Sequence, residues 1–318
     1  MREQFRRLRT RPLAAAALVL AVSAFVGVGT VGAYRYGRGY WLYRGFPPPK
    51  DPAWVGVSGT TQRISVISPA LGGRSQEVYV YLPPGYDSHP NKRYPVFYLL
   101  HGFPGRPTAF LLTVRAGVVE DVLVAKRFAQ PMILVMPFGS TGSFTDKEWA
   151  NGVGKAAGWE TFVARDLVHA IDSRYRTIPT GAGRALGGLS EGGYGALNIG
   201  LHHPGEFRVL ESWSGYELAD DLKELFADRS ALLARNSPLE VLPAVAPALR
   251  RADTYVWFYS GTTDRHWINR QNLDFANELA QLGVQHRFLL FRGGHTWAVW
   301  RDKAWLAYTV AARHLTHA

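Results

Sequence analysis

The pentapeptide Gly188-Leu189-Ser190-Glu191-Gly192 constrains the fold of this 318-residue chain more than any other stretch. Glycines two before and two after a serine suit a sharp strand-to-helix turn. A Cβ at either flanking position would clash there, and the serine hydroxyl is pushed clear of the sheet edge. Arg184–Leu189 reads as the strand entering the turn and Glu191–His203 as the helix leaving it. The same letters also fit a glycine-rich loop in a chain with 33 glycines, so the rest of the sequence has to decide.

Around this turn, strand and helix patterns alternate. Arg63–Ser68 and Glu77–Leu82 alternate apolar and polar residues about Gly72-Gly73, as a half-buried hairpin would. Tyr94–Leu100 and Met132–Met136 are near-continuous apolar runs, expected of strands buried on both faces. Phe207–Trp213, Thr254–Ser260 and His286–Phe291 read as further strands. Helical spacing falls at 115–127, Trp159–Tyr175, 268–282 and 297–315, and 214–252 reads as mixed helix with Ser237-Pro238 as an N-cap and N1 pair. A loop rich in Gly, Ser and Thr covers 137–157. The expected class is α/β: a mostly parallel central sheet with helices on both faces, preceded by an N-terminal hydrophobic helix.

The net charge of +11 suggests a polyanion partner until it is located. Residues 1–44 hold eight arginines against Glu3 alone, and the remainder is only mildly basic, so a nucleic-acid partner is set aside. Residues 1–11 form a basic head. Residues 12–34 carry no charge and as a helix would span about 34 Å, enough for a hydrocarbon core of about 30 Å. This run is expected to be a membrane anchor with the main domain outside. The alternative is an export signal cleaved after Val31-Gly32-Ala33 and a secreted product. Residues 35–53, with Pro47-Pro48-Pro49, read as a linker stiffened by polyproline, and 54–318 as the main domain. With no cysteine in the chain, disulfides, a thiol nucleophile and thiolate metal sites are all excluded.

Serine attacks a carbonyl usefully only when a base takes its proton, and that histidine needs a carboxylate to hold its tautomer. Asp264 follows the 254–260 strand and His295 follows the 286–291 strand, so Ser190, Asp264 and His295 each fall at a strand's carboxyl end in the order of α/β-hydrolases. Asp274 and Glu211 are weaker candidates for the acid. His202, His203, His286, His314 and His317 are poor candidates for the base, and His266 reads as surface. The backbone N–H groups of Phe103 and Glu191 are the expected oxyanion donors, the first from the loop after His101-Gly102, the second at a helix start. The Glu191 side chain is expected to be exposed. Trp149, Trp159, Trp213, Trp267 and Trp297 could wall an acyl pocket or fill the core.

Val78–Tyr86, Tyr94–Gly105, Trp159–Tyr175, Leu186–Phe207 and Tyr259–Trp300 together resemble the esterase family that contains the esterase D type and the antigen 85 mycolyltransferases. The most specific stretches are Leu189–Leu197 and Gly293-Gly294-His295-Thr296-Trp297, while Trp159-Glu160-Thr161-Phe162 is similar to the mycolyltransferase branch. The resemblance implies an α/β-hydrolase fold, a Ser-Asp/Glu-His triad and no cofactor. Mycolyltransferases carry an aspartate where this chain has His101, an arginine near Pro104, and a glutamate as the acid. Those departures favour an ester hydrolase, or an acyltransferase of another specificity, over trehalose mycolyl transfer. No dinucleotide loop, phosphate-binding loop or metal-ligand spacing is found.

The expected function is an exported serine ester hydrolase working through an acyl-enzyme on a small-molecule or lipid ester. Acyl transfer to a sugar or lipid alcohol is the alternative, and a non-catalytic surface protein on the same fold is a third.

Overall fold

In the computed structural model, the chain from Arg2 to Tyr43 is one helix, α1. The structure describes residues 2–139, 147–154 and 157–316, and of residues 2–14 the backbone alone. Residues Met1–Pro48 and Pro49–Ala318 separate into two units. Within the first, Ala15–Tyr43 is long and apolar enough to cross a membrane, with an 18-residue window of mean hydropathy 2.1 and none of it buried. The helix does not stop at Tyr34, where the uncharged run ends. It continues through Tyr36, Tyr40 and Trp41 and ends at Tyr43, where Arg44 and Gly45 turn to positive φ of 52° and 80°.

The second unit is built on one sheet. Strand β1 (Thr60–Ser68) pairs antiparallel with β2 (Arg74–Leu82), from Thr60 opposite Leu82 to Ser68 opposite Arg74. β3 (Val96–Leu100), β4 (Ile133–Pro137), β5 (Arg184–Leu189), β6 (Val209–Trp213), β7 (Tyr255–Gly261) and β8 (His286–Phe291) follow. The order is β1-β2-β4-β3-β5-β6-β7-β8, antiparallel across β1, β2 and β4 and parallel from β4 to β8. Every residue of β3, β4, β5 and β6 is buried, whereas β1 and β8 at the two edges are partly exposed. Continuous apolar runs mark the first group for that reason.

Period-2 alternation divides the strand side chains between two layers. From β3, Val96, Tyr98 and Leu100 enter one layer, while Phe97 and Leu99 enter the other. Helix α2 (Ala116–Ala125) lies on the Phe97 side. The run at 159–174 comprises α3 (Trp159–Thr161), a wide π turn (Phe162–Leu167) and α4 (Val168–Arg174), and packs on the Tyr98 side. On that side too lies α5 (Glu191–His202). Between β6 and β7 only α6 (Ser230–Arg235) and α7 (Pro238–Arg251) are α-helical. Residues 214–229 are bends and turns, where the sequence suggested helix. α8 (His266–Gln281) joins the Tyr98 layer and α9 (Trp297–His314) the Phe97 layer. Of the loop expected at 137–157, residues 140–146 and 155–156 lie outside the described residues.

Candidate active site

Ser190 sits between β5 and α5 with φ 56° and ψ −122°, a left-handed geometry that costs a non-glycine residue about 1–3 kcal/mol. Its neighbours hold it there. The Ser190 N–H donates to the Trp213 carbonyl at 2.9 Å, and its own carbonyl accepts from the Gly193 N–H at 2.8 Å. The flanking glycines are required by space. A Cβ on Gly188 would lie 2.4 Å from the Gly192 carbonyl oxygen, and one on Gly192 would lie 2.0 Å from that of Leu100.

Two other strand ends deliver groups to this hydroxyl. His295 Nε2 is 2.9 Å from Ser190 Oγ, and His295 Nδ1 is 3.1 and 3.2 Å from the two carboxylate oxygens of Asp264. The loops carrying acid and base are laced together: Thr262 N–H donates to Phe291 O and Thr263 N–H to Gly293 O, each at 2.8 Å. The Trp300 ring meets the His295 ring edge-on, with centroids 4.9 Å apart, and limits its rotation. Burial of the Asp264 carboxylate works against its charge. The hydrogen bond and charge of His295, with the Arg265 N–H at 2.7 Å, outweigh that penalty and hold the carboxyl below its ordinary range. Asp264 is thus an anionic acceptor facing an imidazole that also contacts the serine.

The loop after β3 packs directly on the turn. A Cβ on Gly102 would lie 2.9 Å from the Leu189 carbonyl oxygen and 3.0 Å from Ser190 Cβ, so the chain reaches Phe103 alongside the serine. Phe103 is 41% exposed and its peptide bond to Pro104 is cis. Glu191 begins α5, so its amide belongs to the positive end of a helix dipole. His101 is buried and its Nδ1 donates to Gly102 O at 2.9 Å. Burial first, and then the charge of Lys147, push its pKa well below the ordinary value, so it is neutral.

The Glu191 side chain is not exposed. Its carboxylate is 2% exposed and lies 2.9 Å from Lys147 Nζ, itself 2% exposed, because residues 147–150 fold inward over the start of α5. Nothing in the spacing of the two residues signals this pair, and the sequence reading passed over Lys147. Nor does the Trp159–Phe162 stretch reveal the partners of Glu160, which binds His202 Nδ1 and His203 Nε2 at 3.0 Å each at the far end of α5. Burial opposes its charge, but the two histidines outweigh that and hold its pKa down at about 2.

The weaker candidates are engaged elsewhere. Asp274 pairs with Arg270 on an exposed face of α8, and Glu211 is buried in β6, accepting from Trp213 Nε1 at 2.9 Å. His286 contacts Val284 O, His314 stacks on Tyr255, His266 is exposed, and His317 lies outside the described residues. Trp149, Trp159 and Trp213 are fully buried core, while Trp267 and Trp297 are partly exposed. Among the described residues no group of three or more His, Asp or Glu side chains could hold a metal ion.

A mostly parallel sheet with helices on both faces, and a serine on the tight turn after β5, define an α/β-hydrolase fold. Residues 68–304 match the family described as "Putative esterase", and the chain belongs to that esterase family. It is 34% identical over 160 residues to an endo-1,4-beta-xylanase/feruloyl esterase of Xylanibacter ruminicola, covering 49% of this chain and 22% of that one. It is 27% identical over 249 residues to Esterase Rv1288 of Mycobacterium tuberculosis, covering 70% of this chain and 53% of that one. The chain thus spans about half or less of the length of these curated relatives. A solved ferulic acid esterase superposes with a TM-score of 0.72 at 24% identity, covering 81% of this chain and all of that one.

Proposed function

We propose that the chain is an exported serine ester hydrolase acting through an acyl-enzyme at Ser190. One observation carries the reading: His295 lies within hydrogen-bond reach of Ser190 Oγ on one ring nitrogen and of the Asp264 carboxylate on the other. As Ser190 Oγ bonds to the ester carbonyl carbon, His295 Nε2 takes its proton, and Asp264 steadies the imidazolium through Nδ1. The carbonyl oxygen becomes an oxyanion facing the amides of Phe103 and Glu191. Its collapse breaks the bond to the alcohol, which leaves with the proton from His295. Water then attacks the acyl-serine, His295 again accepting a proton; the new tetrahedral centre breaks its bond to Ser190 Oγ, which regains that proton from His295, and the free acid departs.

The family membership supports ester chemistry, and matched proteins named for feruloyl or ferulic acid ester cleavage make a feruloyl ester a sensible trial substrate. Acyl transfer to a sugar or lipid alcohol uses the same site with a different acceptor. The reading places residues 12–34 as an anchor in a membrane, 35–53 as linker and 54–318 as an extracytoplasmic esterase domain. The apolar helix at Ala15–Tyr43 supports that arrangement, and secretion after cleavage at Ala33 is the alternative.

Fluorophosphonate labelling of the wild type beside Ser190→Ala and His295→Ala tests the mechanism. Labelling is expected in the wild type and lost in Ser190→Ala; equal labelling of those two would end the proposal. Product analysis with a p-nitrophenyl acyl ester and competing sugar acceptors separates hydrolysis, which yields free acid, from transfer.

A further inference from the structure

The two amides assigned to the oxyanion come from separate pieces of chain: Glu191 from the first turn of α5, Phe103 from the loop after β3. Their separation must hold to within about 0.5 Å for both to meet one oxygen. One short segment touches both supports. Lys147 Nζ lies 2.9 Å from Glu191 Oε1, inside the protein. Two residues on, Trp149 Nε1 donates to the His101 carbonyl at 3.0 Å, two residues before Phe103. The two contacts are mechanically joined, because Lys147 Nζ sits 4.4 Å from the centre of the Trp149 ring. The Trp149 indole also meets the His101 ring edge-on at 5.1 Å. It lies so close to α5 that a Cβ on Gly195 would come within 2.6 Å of Trp149 Cβ.

The segment is held under strain. Glu148 and Trp149 adopt φ of 49° and 52°, left-handed geometry that non-glycine residues keep only where surrounding contacts enforce it. Glu148 supplies one more contact by accepting the Tyr216 hydroxyl. A buried ion pair is no efficient way to stabilise a fold, since an apolar pair of similar volume often does as well. What a buried pair adds is direction: the ammonium and the carboxylate attract along one line, and the carboxylate belongs to the residue whose amide faces the reaction.

We infer that the Lys147–Glu191 ion pair and the Trp149–His101 hydrogen bond together form a brace that sets the spacing of the two oxyanion amides. Lys147 and Trp149 are then positioning residues. The brace rests on the acyl-enzyme reading of Ser190 given above. It acts on the transition state, because the ester carbonyl gains its full negative charge only there.

The test uses the full chain in detergent with a p-nitrophenyl acyl ester, and a trifluoromethyl ketone that forms an oxyanion on the serine. Lys147→Met/Glu191→Met removes both charges without leaving one unpaired. Trp149→Phe removes the N–H donor together with the outer ring of the indole, and reads the brace even where the double variant fails to fold. In each, kcat is expected to fall by about tenfold or more with KM within about twofold. Inhibition by the ketone should weaken by the same factor, and Trp149→Phe, which also opens space in the core, should fold but melt below the wild type. A purely structural loop would lower the midpoint as well but leave the ratio of ketone affinity to KM unmoved. A folded variant with unchanged kcat and ketone affinity overturns the brace while fluorophosphonate still labels Ser190. Failure of Ser190 to label in the wild type overturns the acyl-enzyme reading, and the brace with it.

Discussion

Replacing Asp264 by asparagine isolates the work of its charge. Oδ1 accepts both the Arg265 N–H at 2.7 Å and His295 Nδ1 at 3.1 Å, while Oδ2 lies 3.2 Å from Nδ1. Asparagine must turn its oxygen toward the Arg265 amide, since its own NH2 group cannot accept that bond. The oxygen therefore takes the Oδ1 position, still accepts from Nδ1, and preserves the tautomer in which Nε2 is the base. On the proposed mechanism, what disappears is the attraction between the carboxylate and the imidazolium that forms when Ser190 gives up its proton. Two unit charges about 4 Å apart at an effective dielectric of about 20 interact by about 4 kcal/mol. That corresponds to about 10³ in kcat. Where the same substitution locks the wrong tautomer, as in trypsin-like enzymes, the loss is about 10⁴.

Asp264→Asn is thus expected to lose about 10³ in kcat, measured on a p-nitrophenyl ester with the wild type quantified by fluorophosphonate titration. Asp274→Asn, whose carboxylate meets Arg270 on an exposed face, should stay within about twofold of the wild type. A loss below about tenfold in Asp264→Asn, or equal losses in both variants, would refute the assignment of the acid.

Two further outcomes concern stability. Glu120 is fully buried, its Oε1 accepting the Met132 N–H at 2.7 Å, and burial pushes its pKa from the ordinary 4.5 up to about 8. A raised carboxyl pKa means the folded state keeps a proton that the unfolded chain releases. Stability therefore falls as pH rises from 4.5 to about 8, by about 1.4 kcal/mol per unit from this group. Glu120→Gln keeps the bond to Met132 and removes the titration, so its melting curve should gain on the wild type between about pH 5 and 8; a constant gap across that range would contradict the protonated Glu120. Gly192→Ala would place a Cβ 2.0 Å from the Leu100 carbonyl oxygen, forcing β3 and α5 apart. It should lose about 3 kcal/mol or more in urea unfolding and most of its esterase activity, and a wild-type midpoint would show that the turn tolerates a side chain.

The strands at the centre of the sheet were legible because burial on both faces leaves an unbroken apolar signature, as in Tyr94–Leu100. Tyr94 itself bridges to Thr177, and the ladder proper begins at Val96. The 214–229 stretch misled because its mixture of polar and apolar residues imitates a helix face, while the chain turns irregularly and buries Ala219 and Phe226 in a small cluster with Ala150. The pattern of burial was right there and the backbone path was not.

By itself the sequence determined the turn at Ser190 and the placing of Asp264 and His295 after two later strands. Those features follow from backbone sterics and from period-2 alternation, both of which act over a few residues. Tertiary structure alone decided that these three groups, 105 residues apart in chain between serine and histidine, meet within hydrogen-bond distance. It alone decided that the Glu191 carboxylate turns inward to Lys147, 44 residues away, when its local pattern looked like an exposed helix start. It also decided that Glu120, Glu211 and Glu217 are buried. A side chain's partner depends on what the fold brings opposite it, and desolvation depends on how many layers cover it; neither is a property of neighbours in sequence.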